Sequence, residues 1–177
     1  MKEPEVLAHL KLLDPPSKYF KKYKKPKYDD DKGKLILGKD YYLTNNIFFG
    51  NSIHWSVQYE IINFAKDWLY LRLLDLPKIA KCRIDIVYHH PTDNWDLDNK
   101  GAFWLKMILD ILKTPTEKQH LKAKRYNSYI KTVNCIPDDT VRYVNGYSVE
   151  YNKGVHCLEI KITGFLDDFG KQEKLFQ

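Results

Sequence analysis

Residues 82–113 read CRIDIVYHHPTDNWDLDNKGAFWLKMILDILK, and this stretch decides the fold class. Residues 82–90 alternate in part between polar and apolar side chains and are rich in β-branched and aromatic residues, which predicts a strand. Residues 100–113 predict a helix, which Thr114 and Pro115 end. A strand followed by a helix is one unit of an α/β or α+β domain.

The segments on either side complete a mixed domain. Apolar residues recur at spacings of three and four over residues 56–74, which predicts a helix that Pro77 ends. Residues 35–46 predict one or two short strands, and VRYVNGYSVEY and VHCLEIKITGF predict two more. The connecting residues 152–154 end in a glycine suited to a positive φ, which predicts a hairpin. We therefore expect one mixed β-sheet flanked by two main helices, in an α/β or α+β fold.

Domain boundaries follow from composition. Residues 1–34 contain two consecutive prolines, a lysine run and the sequence DDDKGK, so we expect a basic, flexible N-terminal arm. Residues 35–166 are expected to form the folded domain and residues 167–177 a C-terminal tail. The length of 177 residues suits a single domain with one core.

The composition favours an intracellular protein. The chain is 44% hydrophobic and 29% charged, and no apolar run reaches the roughly 18 residues that span a bilayer. The first residues are too acidic, and their apolar stretch too short, for a secretory signal. We therefore expect a cytoplasmic location without membrane association. The three cysteines are far apart and no HExxH is present, which argues against disulfides, a zinc site or a histidine metal site.

Positive charge is concentrated in two stretches. The net charge of +6 is compatible with a polyanionic partner. Residues 18–27, KYFKKYKKPK, hold six lysines in ten positions with aromatic residues between them, and lysines contact phosphates while aromatics stack on bases. A solvated, flexible charge run is an equally good interpretation. The second stretch, residues 118–126, contains the candidate nucleic-acid-binding residues Lys122, Lys124 and Arg125.

The most unusual feature is the acidic stretch DNWDLDN, residues 93–99. If Trp95 to Asp98 is extended, Asp96 and Asp98 point to the same side, about 7 Å apart along the chain. Their mutual repulsion requires a cation or a hydrogen-bond donor. Capping of the next helix by Asp98 or Asn99 explains one of these residues, but not two carboxylates on one side.

The type of cation can be narrowed from the spacing. An EF-hand calcium loop starting at Asp96 is excluded, because Lys100 and Met107 would stand where an oxygen ligand and a glutamate are required. Mg²⁺ takes only a few carboxylates and keeps several waters or substrate phosphates. A third carboxylate would therefore complete a magnesium site.

Two aspartate pairs can supply that third carboxylate. Asp138 and Asp139 lie in IPDDT, just before a predicted strand, where only one of two adjacent side chains can face the site. Asp167 and Asp168 are a weaker choice, because they follow the last strand. An aspartate pair by itself is most often part of a turn.

Lys106 and Asp110 stand four residues apart on the second predicted helix. They can form a surface ion pair in the less favourable order, with the lysine first. A helical lysine also leans toward the helix N-terminus, so Lys106 can reach back toward the acidic stretch and balance the carboxylates or hold a phosphate. Lys100 is closer in sequence, but its direction is less fixed.

WDLDN, a helix carrying Lys106 and Asp110, and then IPDDTV together resemble the RusA family of Holliday junction resolvases. That family reads roughly D-x-D-N, then a lysine and an aspartate four apart on a helix, then a DD pair. By this resemblance Asp96 and Asp98 match the first two family carboxylates and Asp139 matches the third. Lys106 matches the family lysine.

The chain departs from the family pattern in two places. The family lysine usually stands four residues after the second aspartate, where this chain has Ala102, so a match at Lys106 implies one extra helical turn. Lys100 is the substitute. The segment 113–136 is also longer than usual. The resemblance covers residues 43–165 loosely and residues 95–141 specifically.

The resemblance implies a mixed sheet with flanking helices, a two-fold homodimer and Mg²⁺-dependent cleavage of a four-way DNA junction, with Mn²⁺ as a possible substitute. Asp96, Asp98 and Asp139 would bind the metal, and Lys106 would add positive charge at the scissile phosphate. Trp95 stands where relatives carry an aromatic that holds the junction open, and it can stack on an unpaired base. A core tryptophan at a strand end is an equally good interpretation.

Two other functions remain open. A DNA- or RNA-binding protein without catalysis would use the lysine runs, with the acidic stretch serving as a cap and a surface turn. Such a protein would respond to Mg²⁺ only as to ordinary salt, whereas a nuclease stops cutting in EDTA. A nuclease for other branched or flapped DNA would share the site but not the substrate.

Overall fold

The computed structural model describes residues 3–29, 33–49, 53–92, 97–125 and 130–166, with residues 97–99 described by their backbone alone. The strands and helices of this part of the chain are, in order, β1 Glu5–Leu13, β2 Lys18–Asp29, β3 Lys34–Tyr42, α1 Asn46–Phe49, α2 Trp55–Leu73, β4 Ile79–His90, α3 Leu97–Leu112, α4 Glu117–Arg125, β5 Val144–Lys153 and β6 Cys157–Leu166.

The main sheet has four strands in the order β1-β6-β4-β5. β4 pairs in parallel with β5 and antiparallel with β6, and β1 pairs antiparallel with β6. Because parallel neighbours need a crossover, α3 and α4 connect β4 to β5. β2 and β3 form a separate antiparallel ribbon. The expected mixed α+β fold is confirmed.

The core lies between one face of the main sheet and the helices α2 and α3. Alternate residues of β4 and β6 are fully buried on this face, as shown by Ile84, Ile86 and Ile160. The two helices meet through Trp68 and Trp104, whose ring centroids are 5.4 Å apart. The other face of the sheet carries polar side chains, which is the pattern of a sheet covered on one side only.

The two main helices are confirmed close to their predicted positions. α2 spans Trp55–Leu73 where residues 56–74 were expected, and α3 spans Leu97–Leu112 where residues 100–113 were expected. All three cysteines are buried free thiols. Among the described residues, no helix is long and apolar enough to cross a membrane.

The predicted hairpin of the last two strands is wrong. β5 and β6 both pair with β4, which lies between them, so they are not neighbours. β4 lies between them because its core-facing side chains are buried along most of the strand, whereas most side chains of β5 are at least partly exposed. The link from Lys153 to Cys157 crosses the end of β4, where the Gly154 amide donates to the His90 carbonyl at 3.1 Å. Gly154 does not adopt the expected positive φ.

The prediction that residues 1–34 form a flexible arm outside the domain is also wrong over residues 5–29. β1 is an edge strand of the main sheet, paired with β6 from Glu5 to Leu13, and Leu12 belongs to the core. β2 contains the lysine run and pairs with β3. Lysine-rich composition suggested disorder, but the alternating apolar residues supply enough cross-strand pairs to form strands.

Candidate functional site

The acidic stretch meets α3 at its first turn. The helix begins at Leu97, so Asp98 and Asn99 lie inside its first turn and not before it. The prediction that Trp95 to Asp98 is extended is therefore wrong for Leu97 and Asp98, which are helical. Neither Asp98 nor Asn99 is the N-cap residue of α3. A carboxylate in the first turn is stabilised by the helix dipole. Trp95 and Asp96 lie outside the described residues.

A group of polar side chains lies beside this end of α3. Tyr88 lies near the end of β4, and its hydroxyl is hydrogen-bonded to Nε2 of His156. His156 is in the link before β6. His156 Nδ1 is 3.9 Å from Asp14 Oδ1, and the His90 ring lies edge-on to the His156 ring at 5.1 Å. Sequence reasoning missed this group, because its members come from three separate segments and match no metal-ligand spacing.

The electrostatics of this group connect it to α3. Burial, then the neighbouring His90 and Lys100, lower the pKa of His156, while Asp14 acts in the opposite direction. Lys100 is in the first turn of α3, so its influence places His156 near the acidic stretch. A lowered pKa favours the neutral imidazole near pH 7, which can accept a hydrogen bond or a proton. Burial raises the pKa of Tyr88, so its hydroxyl stays protonated.

Asp139 lies at the other end of α3, in an exposed bend before β5. Its Oδ2 is 3.2 Å from Nζ of Lys113, the residue that directly follows the helix. Its amide donates to Oδ1 of Asp138 at 2.8 Å. Because neither aspartate is in a strand, the strand argument that only one of them can face a site does not apply. Desolvation raises the pKa of Asp139, but the hydrogen bond from Lys113, the contact with Asp138 and the charge of Lys113 together outweigh it and bring the pKa below its ordinary value, so the carboxyl stays ionised.

Asp110 is the centre of an ion-pair chain. Its two carboxylate oxygens are 3.0 Å from Lys66 Nζ and 3.3 Å from Lys113 Nζ, and Lys113 continues to Asp139. Desolvation raises the pKa of Asp110, but the nearby lysines, Lys66 first, bring the pKa below its ordinary value. The partners of Asp110 within ion-pair distance are thus Lys66 and Lys113.

Lys106 has a different environment from the one expected. Its side chain is exposed, and Nζ lies 5.4 Å from the centroid of the Phe48 ring, a cation–π geometry. The charge of Lys106 lowers the pKa of Asp110, but less than the charge of Lys66 does. Lys106 is eight residues from Asp98, about 12 Å along the helix axis. Two lysines of α3 thus remain candidates for the site lysine: Lys106 in the middle of the helix and Lys100 in its first turn.

The structure does not bring Asp139 and Asp98 together within one chain. Fifteen residues separate Asp98 from Lys113, which is about 22 Å along a helix axis. The parallel pairing of β4 and β5 also separates the two aspartates, because Asp98 follows the end of β4 whereas Asp139 precedes the start of β5. Asp98 and Asp139 thus lie at opposite ends of one crossover.

The second basic stretch lies near Asp139. α4 carries Lys122, Lys124 and Arg125 in its last turn and contains no buried residue. A shallow cleft of about 450 Å³ lies between α4 and the bend before β5, lined by Lys113, Thr114, Thr116, Lys118, Gln119, Lys122, Pro137 and Asp138. Several lysines facing one cleft beside an ionised aspartate suit a phosphate or a phosphate-bound cation.

The chain was compared with known proteins. No protein family model matches it, and no curated protein matches it. Within the part of the chain that the structure describes, no three histidine, cysteine or acidic side chains are placed to hold a metal ion.

Proposed function

We propose that this chain is a Mg²⁺-dependent endonuclease that cleaves four-way DNA junctions, similar to the RusA family. The observation that carries the proposal is the position of DLDN. Leu97, Asp98 and Asn99 of this motif form the start of α3, the first element after β4, at the carboxyl end of a parallel strand pair. Ligands of open α/β sheets bind at the carboxyl ends of strands, and helix N-termini attract phosphates.

Carboxylate oxygens are the ligands that Mg²⁺ or Mn²⁺ prefers, so Asp96, Asp98 and Asp139 suit the ion by chemistry. By distance, Asp139 does not fit a site that also contains Asp98 of the same chain. A two-fold axis perpendicular to α3 sets the start of one helix beside the end of its partner. We therefore place each site between two protomers, with Asp96 and Asp98 from one and Asp139 from the other.

The ion, when bound, would neutralise charge on the phosphate oxygens and lower the pKa of the attacking water. The chain's own residues bind and orient the DNA. Lys113 keeps Asp139 ionised, and Lys122, with Lys124 and Arg125, holds flanking phosphates without reading sequence. Lys106 or Lys100 adds positive charge at the scissile phosphate. Trp95 stacks on a base at the open centre of the junction.

A DNA-binding protein without catalysis is the second candidate. The observation that favours it is the ion pair of Asp139 with Lys113, which gives this carboxylate a structural partner without any metal. Under this alternative the lysines of α4 bind phosphates, and the acidic first turn of α3 only stabilises the helix.

A cleavage assay separates these candidates. A labelled synthetic four-way junction and a linear duplex of the same sequence are incubated with the protein in Mg²⁺ and in EDTA. The proposal predicts paired, symmetric cuts in the junction alone, lost in EDTA and in Asp98→Asn. Binding without cuts at every Mg²⁺ and Mn²⁺ concentration would favour the non-catalytic protein, and cuts in flapped DNA but not in junctions would change the substrate.

A further inference from the structure

The ribbon formed by β2 and β3, here called the basic ribbon, projects from the domain. Its base is attached to α2 through Tyr19, whose hydroxyl donates to Glu60 at 3.0 Å and whose ring lies 5.4 Å from that of Phe64. Lys21 is paired with the same Glu60. The tip, defined as residues 22–29 and 33–37, is mostly exposed, and none of its described residues belongs to the hydrophobic core or packs against it.

The tip carries a high density of positive charge. Five of its described residues are lysines that make no ion pair within the described chain: Lys22, Lys24, Lys25, Lys27 and Lys34. Lys27 instead lies over the Tyr23 ring, with Nζ 5.5 Å from the centroid. By contrast, Lys18 and Lys21, at the base, are both paired with acidic residues. Outside the tip, Lys39 is the other described lysine of the ribbon without an ion pair, and it lies over the Tyr41 ring. Positive charge without acidic partners is thus concentrated at the tip of the ribbon.

The tip also exposes apolar side chains that a solvated ribbon does not need. Tyr28 and Leu35 are cross-strand partners on one face and are 63% and 51% exposed. Leu37, two residues further along β3, is 51% exposed. These apolar side chains form a strip bordered by lysines. Such a surface is complementary to a partner with two rows of negative charges and a less polar surface between them.

We propose that the basic ribbon inserts into the major groove of duplex DNA. The groove is about 12 Å wide and admits a two-stranded ribbon, whose strands lie about 4.8 Å apart. In this position the lysines reach the phosphates of both backbones, while Tyr28 and Leu35 face base edges and thymine methyl groups. The proposal rests on the proposed function for its ligand, because the four arms of a junction are duplexes.

Charge decides between DNA and a second copy of this chain as the occupant. The chain has a net charge of +6, so a second copy would oppose the unpaired lysines, whereas DNA attracts them.

The test is binding to a labelled linear duplex in EDTA, at a series of NaCl concentrations, so that no cleavage is required. The variant combines Lys22→Gln, Lys24→Gln and Lys25→Gln. Each lost phosphate contact lowers the salt slope by about 0.9, so we expect a slope smaller by about 2 to 3 and affinity at least about tenfold weaker near 0.15 M salt. A matched control combines Lys11→Gln, Lys81→Gln and Lys161→Gln, three exposed lysines of the main sheet, and keeps the wild-type slope.

The proposal is overturned by unchanged affinity and slope in the ribbon variant, by an equal loss in the control, or by a loss confined to binding of phosphatidylserine vesicles. A ribbon variant that becomes monomeric while each chain binds DNA as before would assign the ribbon to a second copy and would overturn it too. Circular dichroism verifies that both variants are folded. If the ribbon variant loses affinity but the wild-type protein cuts no junction, the groove assignment stands and the nuclease assignment fails.

Discussion

At the residue scale, Lys113 connects a predicted site residue to the helix that carries the predicted site lysine. The sequence predicted Asp139 as a metal ligand and placed Asp110 four residues after Lys106, and the structure joins these two aspartates through Lys113. The choice of lysine could not be predicted, because a lysine side chain is long and its partner depends on how helices pack. Lys66 reaches Asp110 only because α2 lies against α3.

Replacing Lys113 with methionine removes one partner from each of two carboxylates. We expect Lys113→Met to lower the free energy of unfolding by about 1–2 kcal/mol, since hydrogen bonds to charged groups contribute about 1.5–3 kcal/mol and solvent screens part of this contribution at a partly exposed lysine. The folded-state pKa of Asp110 is depressed, so its contribution is present above the ordinary aspartate pKa of about 4 and is lost as pH falls below it. Urea unfolding at pH 7 and pH 3.5 measures both effects.

The control for this experiment is Lys118→Met, because Lys118 is exposed and makes no ion pair within the described chain. It should unfold like the wild-type protein at both pH values. If Lys113→Met also did, the ion-pair chain would carry no stability.

His156 allows a second prediction at this scale. Burial lowers its pKa in the folded state, so the unfolded chain binds more protons between the folded pKa and the free value of about 6.5. Stability should therefore fall as pH decreases through this range, and His156→Gln should flatten that part of the profile. Proton NMR of the imidazole gives the pKa directly, and a value above 6.5 would contradict the arrangement.

At the scale of elements, local patterns predicted which segments form strands and helices but not which strands pair. Apolar periodicity placed α2 and α3 within a few residues. Pairing depends on burial across the whole sheet, and the three residues linking β5 to β6 can cross β4 as easily as they could form a tight turn. The strands β1 and β2 were not predicted for a similar reason. The lysine-rich composition suggested disorder, and composition alone does not show which residues pair across strands.

The role of β1 as part of the domain can be tested with two neighbouring leucines. Leu12 is 9% exposed and Leu13 is 61% exposed. If β1 is an edge strand of the main sheet, Leu12→Ala should lower the free energy of unfolding by about 2–3 kcal/mol. Leu13→Ala should change it by less than about 0.5 kcal/mol. Equal, negligible effects in urea unfolding would mean that these residues form a flexible arm.

At the scale of the whole molecule, Asp98 and Asp139 of the proposed nuclease lie at the two ends of α3. The motif could be identified from sequence because its residues are close along the chain. Their separation in space could not, because it depends on the parallel pairing of β4 with β5. A three-carboxylate site then requires two protomers, which also suits a substrate with two-fold symmetry.

The most direct test of this account is a subunit-complementation assay. Asp98→Asn and Asp139→Asn chains are given different affinity tags and co-expressed, and the mixed dimer is isolated. If each site combines Asp98 of one protomer with Asp139 of the other, one site carries both substitutions and the other carries neither. We predict that the mixed dimer nicks one strand of a four-way junction in Mg²⁺ while each parent homodimer is inactive. A mixed dimer without activity, beside a wild-type protein that cuts both strands, would contradict the shared site.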